Sequence, residues 1–373
     1  MESVISTQPG WQDLFRTSSA AGIVVRWRVL RRRGEPLLVL PASNSAAARS
    51  LTLYPAQTAK ARLVRKLLRA ALKLNLPLPL ERAVVRVDAA LPFAKFLATQ
   101  AGLNNFPAIG ILCGNPHTAG RRFILLLFGN EGTPVRVVKV GLGETAQSLI
   151  EQEIKFLAAV PADLAGIPRL AGTLREKNLS AFAQDFCDGE FSSAADTGCV
   201  PKLMNAWVVE AEGQMLSATA PWRELVPCLA AAPCWQPLIQ LGERTLRRVI
   251  WHGDFTPWNL KRDRHSGQGI ALDWERGQLT GVPGWDWFHF VVQSGVLVKK
   301  LSAPALREEL ETLLRSEDFS NYASRCGIVG SERELLLAYL LYNVEVLKPS
   351  EGRAELRTLL ELLTNAWINV SKS

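Results

Sequence analysis

The chain has four histidines and three methionines among 373 residues, and its six cysteines stand apart with no Cys-x-x-Cys pair. That spacing offers neither paired zinc ligands nor a disulfide framework, so reduced thiols are expected. Long apolar runs are also missing. Runs such as 123–128 are strand-sized, far short of the roughly 18–20 residues a membrane helix needs. Residues 1–15 lack the basic segment followed by an apolar one that marks a secretory signal. There is no internal repeat and no low-complexity tract. Zinc modules, disulfide scaffolds, repeat arrays and transmembrane proteins are thereby set aside, and a cytoplasmic protein is expected.

What is present is an ordinary globular balance. Hydrophobic residues make up 48% and charged residues 21%, which excludes disorder as a description of the whole chain. At roughly 150 residues per domain the length allows two or three cores. Charge is unevenly placed. Between positions 16 and 88, 15 Lys/Arg face 3 Asp/Glu, a net +12 against +8 for the chain, so the remainder sums to −4. A basic first quarter joined to a mildly acidic remainder suggests two units with different surfaces.

Within the first unit, Val25, Trp27 and Val29 alternate with Arg26 and Arg28, the period of a half-buried strand. A turn at 31–36 and a second strand at 37–40 follow. Residues 56–74 read as a basic helix that Pro77 and Pro79 end. A break around Gly102, Asn104, Asn105 and Pro107 precedes strands at 108–114, 121–128 and 135–140, a helix at 144–160 and a strand at 179–186. Beyond about 190 the pattern is mostly helical, interrupted by the apolar segment 249–275.

That segment carries the sharpest chemical signal. His252-Gly253-Asp254 follows an apolar strand, Asn259 stands five residues after Asp254, and a second short strand ends on Asp273. Two carboxylates and an amide from the ends of adjacent strands form an oxygen-rich cluster of the kind Mg²⁺ takes, together with phosphate oxygens. Asp254 is then available to accept a hydroxyl proton.

Lys139 is expected on one strand face with Val135 and Val137, where an ammonium group needs an anionic partner. On the helix 144–160, Glu153 falls inside the arc of Leu149, Ile150, Ile154, Phe156, Leu157 and Val160, whereas Glu151 points away, so Lys139–Glu153 is the expected pair. The loop bounded by Gly114 and Gly120 lies between two strands, not before a helix. That excludes a dinucleotide fingerprint or P-loop and is compatible with a β-hairpin over phosphates. Six of the eleven tryptophans, 222, 235, 251, 258, 274 and 285, lie in or near the catalytic segment. They fit packing, or an aromatic wall for sugars or quaternary ammonium groups.

Together these residues resemble the aminoglycoside phosphotransferase/choline kinase-like family, in HGDFTPWN at 252–259 and ALDWE at 271–275. The resemblance covers roughly 104–373. It implies an α+β, protein-kinase-like bilobal fold, with a small β-rich lobe and a helical lobe, preceded by a small α/β N-terminal extension. The corresponding boundaries are 1–103 for the basic extension, 104–190 for an ATP-binding small lobe and hinge, and 191–373 for the catalytic lobe. By residue matching, Asp254 would be the catalytic base, and Asn259 and Asp273 would hold Mg²⁺. Lys139, braced by Glu153, would grip the ATP phosphates, with Gly114 and Gly120 bounding the lid. Asp185, Phe186 and Cys187 would form the hinge that meets adenine. Asp286 would anchor the catalytic loop, and His252 would orient it. Thr256 and Trp258 stand where many members carry His and a small residue, a departure placed at the mouth of the substrate site. Asp-Phe-Gly and Ala-Pro-Glu are absent, which sets aside a protein kinase with an activation loop.

The implied activity is ATP- and Mg²⁺-dependent phosphoryl transfer to a hydroxyl of a small molecule such as a sugar, an amino alcohol or an aminoglycoside. The alternative is a catalytically silent nucleotide-binding scaffold of the same fold. The basic N-terminal unit is a solvated face or a dock for an acidic protein or anionic membrane surface; no nucleic-acid motif accompanies its charge.

Overall fold

The alternation at 23–30 does make a strand, and it belongs to a much larger sheet. The structure, a computed structural model, describes residues 9–15, 22–116, 118, 120–194, 198–231 and 235–369; Arg16, His117, Ala119 and Cys234 lie outside them. The chain divides into two compact units. The first comprises residues up to Ala158 together with Pro168–Asp188, and the second Ala159–Ile167 and Gly189 onward.

The first unit is built on eight strands, β1 (Ile23–Arg32), β2 (Glu35–Pro41), β3 (Glu81–Val87), β4 (Ile109–Cys113), β5 (Arg122–Phe128), β6 (Pro134–Leu142), β7 (Leu170–Glu176) and β8 (Leu179–Asp185). They form one sheet in the order β3-β1-β2-β4-β5-β6-β8-β7, antiparallel throughout. The expected boundary at 103/104 therefore needs correction. β2 pairs with β4 through Leu38–Leu112 and Val39–Ile111, so the basic N-terminal strands and the segment from 104 share one sheet and one core. Helices α1 (Asn44–Ser50), α2 (Ala59–Lys73), α3 (Pro92–Ala101) and α4 (Glu144–Ala159) complete the unit.

Period-two alternation sends the strand residues to two cores. Phe123, Leu125 and Leu127 join Trp27, Val39 and Ile111 with Phe93 and Leu97 of α3 on one face. Leu126 and Phe128 join Leu38, Leu40 and Leu72 of α2 on the other. Because β5 is buried on both faces, its sequence is a continuous apolar run, not an alternation.

The second unit carries two three-stranded sheets. One contains β10 (Val208–Met215), β11 (Thr245–Trp251) and β14 (Gln278–Gly281) in the order β10-β11-β14. The other contains β9 (Gly189–Phe191), β12 (Leu260–Asp263) and β13 (Gly269–Ala271) in the order β13-β12-β9. Its helices are α5 (Val200–Ala206), α6 (Ala220–Ala230), α7 (Gln236–Leu241), α8 (Trp285–Gln293), α9 (Ala303–Arg315), α10 (Glu317–Cys326), α11 (Glu332–Leu341) and α12 (Arg353–Thr364). A strand-rich unit and a mostly helical one make the chain α+β. β10 lies in a stretch expected to be helical; its pairing with β11 outweighs the weak local pattern. Among the described residues, no helix is long and apolar enough to cross a membrane.

Candidate active site

Lys139 lies on β6, and its Nζ donates to both carboxylate oxygens of Glu153 on α4, over 2.7 and 2.9 Å. Both side chains are buried, at 5% and 1% exposure, so each ion depends on the other for the hydration it has lost. The Phe182 ring lies 5.9 Å from Nζ. Val137 packs on this side of the sheet, but Val135 belongs to the opposite core. The shared face expected for Val135 fails because the β5–β6 register shifts between Leu127 and Phe128, which moves the strand end by one residue. Glu151 does point away, pairing with exposed Arg175 at 2.8 Å.

Strands β4 and β5, on either side of the segment 114–120, pair antiparallel. Gly114 donates its N–H to Arg122 O at 3.0 Å, and a Cβ at Gly114 would come within 2.4 Å of that oxygen. Gly120 has φ +74°, the left-handed region. At the end of β8, Asp185 is exposed and ion-paired with Arg136 at 2.7 Å. Phe186 packs on the core beside α1 and α2, and Cys187 is half-buried. These three residues lie close to where the chain leaves its first unit.

In the second unit, β11 ends at Trp251 and delivers His252, Gly253 and Asp254. Gly253 has φ +79°, and a Cβ there would meet the Arg276 Cβ at 2.8 Å, so only glycine fits this turn. The buried Asp286, at the start of α8, receives the N–H groups of His252 at 2.8 Å and Gly253 at 3.1 Å, holding the turn as expected. Burial, opposed by those two bonds, pushes its carboxyl up to about 7.

His252 is fully buried. Its Nε2 lies 2.9 Å from Leu272 O, and its Nδ1 accepts the Asp254 N–H at 3.2 Å. A carbonyl can only accept, so Nε2 carries the proton and the ring is neutral. Burial lowers its pKa to about 4, although the charges of both Asp254 and Asp273 act to raise it. His252 orients the loop, tying the Asp254 backbone to the segment before Asp273.

Asp254 is half-buried, with a third of its side chain exposed. Asn259 Nδ2 donates to its Oδ2 at 2.9 Å and to its backbone carbonyl at 2.9 Å. That leaves the Asn259 Oδ1 as the amide's acceptor. Asp273 follows β13 and has φ +71°, a left-handed conformation that is rare for a residue with a side chain. Strands β11 and β13 belong to different sheets, which corrects the expectation that Asp254 and Asp273 come from adjacent strands. Two hydrogen bonds bring their segments together instead, Leu272 N–H to Asn259 O at 2.7 Å and His252 Nε2 to Leu272 O.

The composition reading missed one partner. His289, buried on α8, sets its Nε2 3.0 Å from Asp254 Oδ1, and its Nδ1 lies 2.9 Å from the Tyr339 hydroxyl on α11. A carboxylate only accepts, so His289 donates from Nε2. In the neutral ring Tyr339 then donates to Nδ1. Asp286 and His289 are three residues apart in the apolar run WDWFHFVV. Two polar groups on one side of such a helix require buried partners, and that signal was available.

Beneath the loop lies an aromatic layer. The Trp207 and Trp274 ring centres are 5.0 Å apart, and Trp274 lies 4.4 Å from His252. Trp222, Trp251 and Trp285 are likewise buried, so packing accounts for these tryptophans. Thr256 is fully buried and its hydroxyl has no hydrogen-bond partner, so it does not line a site mouth; Trp258 is half-buried. The cysteines described, 113, 187, 199, 228 and 326, form no disulfide, and no group of three His, Cys, Asp or Glu that could hold a metal ion occurs among the described residues.

No family model matches the chain, and no curated protein matches it. Solved structures do. Aminoglycoside phosphotransferase APH(4)-Ia, in a ternary complex with AMP-PNP and hygromycin B, is 14% identical, covering 74% of this chain and 99% of its own at a TM-score of 0.46. Aminoglycoside phosphotransferase APH(3'')-Id from Streptomyces rimosus is 13% identical, covering 68% and 98% at 0.41. A fructosamine-3-kinase from Haemophilus somnus is 11% identical, covering 72% and 96% at 0.43.

Proposed function

We propose that the chain is a small-molecule kinase that transfers the γ-phosphoryl group of ATP to a substrate hydroxyl, with Mg²⁺ as cofactor. The observation that carries this reading is the treatment of Asp254. One oxygen is fixed by Asn259 and the other by His289, yet a third of the side chain stays open, so a carboxylate is aimed and left accessible. In the reaction the acceptor oxygen attacks the γ-phosphorus, the bond to the β-phosphate bridge breaks, ADP leaves, and the hydroxyl proton passes to Asp254.

The donor set suits Mg²⁺. Asp273 and the Asn259 Oδ1 are hard oxygens that would hold it, and the Asn259 backbone is fixed by its N–H to Thr256 O and by the Leu272 N–H to its carbonyl. Once bound, the ion would neutralise charge on the phosphates. Lys139, locked by Glu153, supplies a fixed cation for the α- and β-phosphates, and its rigidity lowers the ordering cost of binding. The loop between Gly114 and Gly120 is assigned to phosphate contact, and the backbone at Asp185, Phe186 and Cys187 to the adenine edge. Acceptors with ring hydroxyls or amino alcohols fit the motif resemblance.

The test is phosphate transfer from γ-labelled ATP across a panel of hydroxylated metabolites. Asp254→Ala should abolish product while leaving nucleotide-induced thermal stabilisation in place. Unchanged transfer by this variant would remove the assignment.

A further inference from the structure

Helix α2 buries Leu72 in the core of its unit, yet it also turns an apolar stripe outward. Arg62 and Arg65 are half-buried and turn back onto their own unit, donating to Gln57 O at 2.7 Å and Tyr54 O at 3.1 Å. Leu63, Val64 and Leu67 point outward, at 58%, 47% and 61% exposure. Just past the helix end, Leu74 and Leu76 are also exposed, at 70% and 52%. Exposed Lys60, Lys66 and Lys73 flank this apolar stripe. From position 36 to 80 the chain has seven Lys/Arg and no Asp or Glu.

A second feature adjoins the stripe. A groove of about 430 Å³ lies between the start of α2 and the β1–β2 hairpin. Buried or half-buried Leu37, Leu51 and Leu68 line its base, and exposed Arg32, Lys60 and Val64 its edge. Such a groove accepts a ligand with an apolar body and an anionic head.

We infer that this face of the first unit docks on an anionic phospholipid bilayer. The leucine stripe enters the interface, the lysines meet the headgroups, and the groove takes part of a lipid. Charge decides the occupant. A second copy of the chain would present the same cations and be repelled, whereas an anionic lipid surface complements both the sign of the charge and the apolar stripe. At 1.5 Å per residue, the 15-residue helix lies along roughly 22 Å of interface.

The experiment is co-sedimentation of the full chain with vesicles of phosphatidylcholine alone or mixed with phosphatidylglycerol. The chain should pellet with the mixed vesicles only. Leu63→Asn/Leu67→Asn and Lys60→Glu/Lys66→Glu should each weaken binding by roughly tenfold or more, with far-UV circular dichroism unchanged. If the first pair disturbs folding, Leu74→Asn/Leu76→Asn makes the same test outside the helix. Three results would overturn the inference. These are no pelleting with mixed vesicles, equal pelleting by the leucine variants (charge adsorption alone), or a dimer in sedimentation equilibrium that the leucine variants abolish.

Discussion

His289 on α8 donates its Nε2–H to Oδ1 of Asp254 over 3.0 Å, while Tyr339 occupies its other nitrogen. This contact fixes the carboxylate's rotation without covering it. His289→Ala should lower kcat by roughly 10- to 100-fold through misplacement of the base, with KM for ATP little changed. His289→Gln keeps an N–H near the same place and should recover much of the loss. A fall in KM and kcat together, with no recovery by Gln, would mark a merely structural role.

The Lys139–Glu153 pair makes a separate prediction about stability. Lys139→Met leaves Glu153 charged and buried without its partner, which should cost about 3–5 kcal/mol in urea unfolding. The double variant Lys139→Met/Glu153→Met removes both ions and should be less destabilised than the single change. Additive losses would mean that the two side chains do not depend on each other.

The pH dependence pits two buried groups against each other. Asp286 is raised from 3.8 to about 7, so its stabilising contribution is full below 3.8 and is lost as pH rises through 7. His252 is lowered from 6.5 to about 4, so its contribution is present above 6.5 and is lost as pH falls through 4. Between pH 4 and 6.5 the slopes oppose, each at most about 1.4 kcal/mol per pH unit. Thermal melts of Asp286→Asn should therefore show stability climbing more steeply with pH across that window than in the parent, and His252→Gln the reverse. Parallel curves for all three proteins would refute the assignment.

Asp273 holds a left-handed backbone that a side chain normally avoids. Asp273→Gly should keep or raise stability, and Asp273→Ala should lower it by about 1 kcal/mol relative to Gly. Both should lose transfer. Melting temperatures ranked with Ala above Gly would show that the conformation carries no strain.

Much of the site was legible because it is local. The turn at His252-Gly253-Asp254 and Asn259 lie within eight residues, and the bonds that Asp254 makes with His252 Nδ1 and Asn259 Nδ2 close within that span. Lys139 and Glu153 were legible from periodicity, since an ion on an apolar face restricts the choice of partner. His289 and Tyr339 were not paired in that way. Their contacts cross 35 and 50 residues, and nothing at either end of the sequence names the other. The unit boundary failed for the same reason, because the β2–β4 ladder that merges the basic segment with the rest is a tertiary pairing.

By itself the sequence determined the chemical types at the site, the period of β1 and α4, the apolar run of β5, and the lack of acid from 36 to 80, since each follows from neighbours along the chain. Only the tertiary structure decided which way α2 turns its leucines, which sheet receives each strand, and which imidazole holds Asp254. Those outcomes depend on which surfaces bury each other, and burial is a property of the folded chain as a whole.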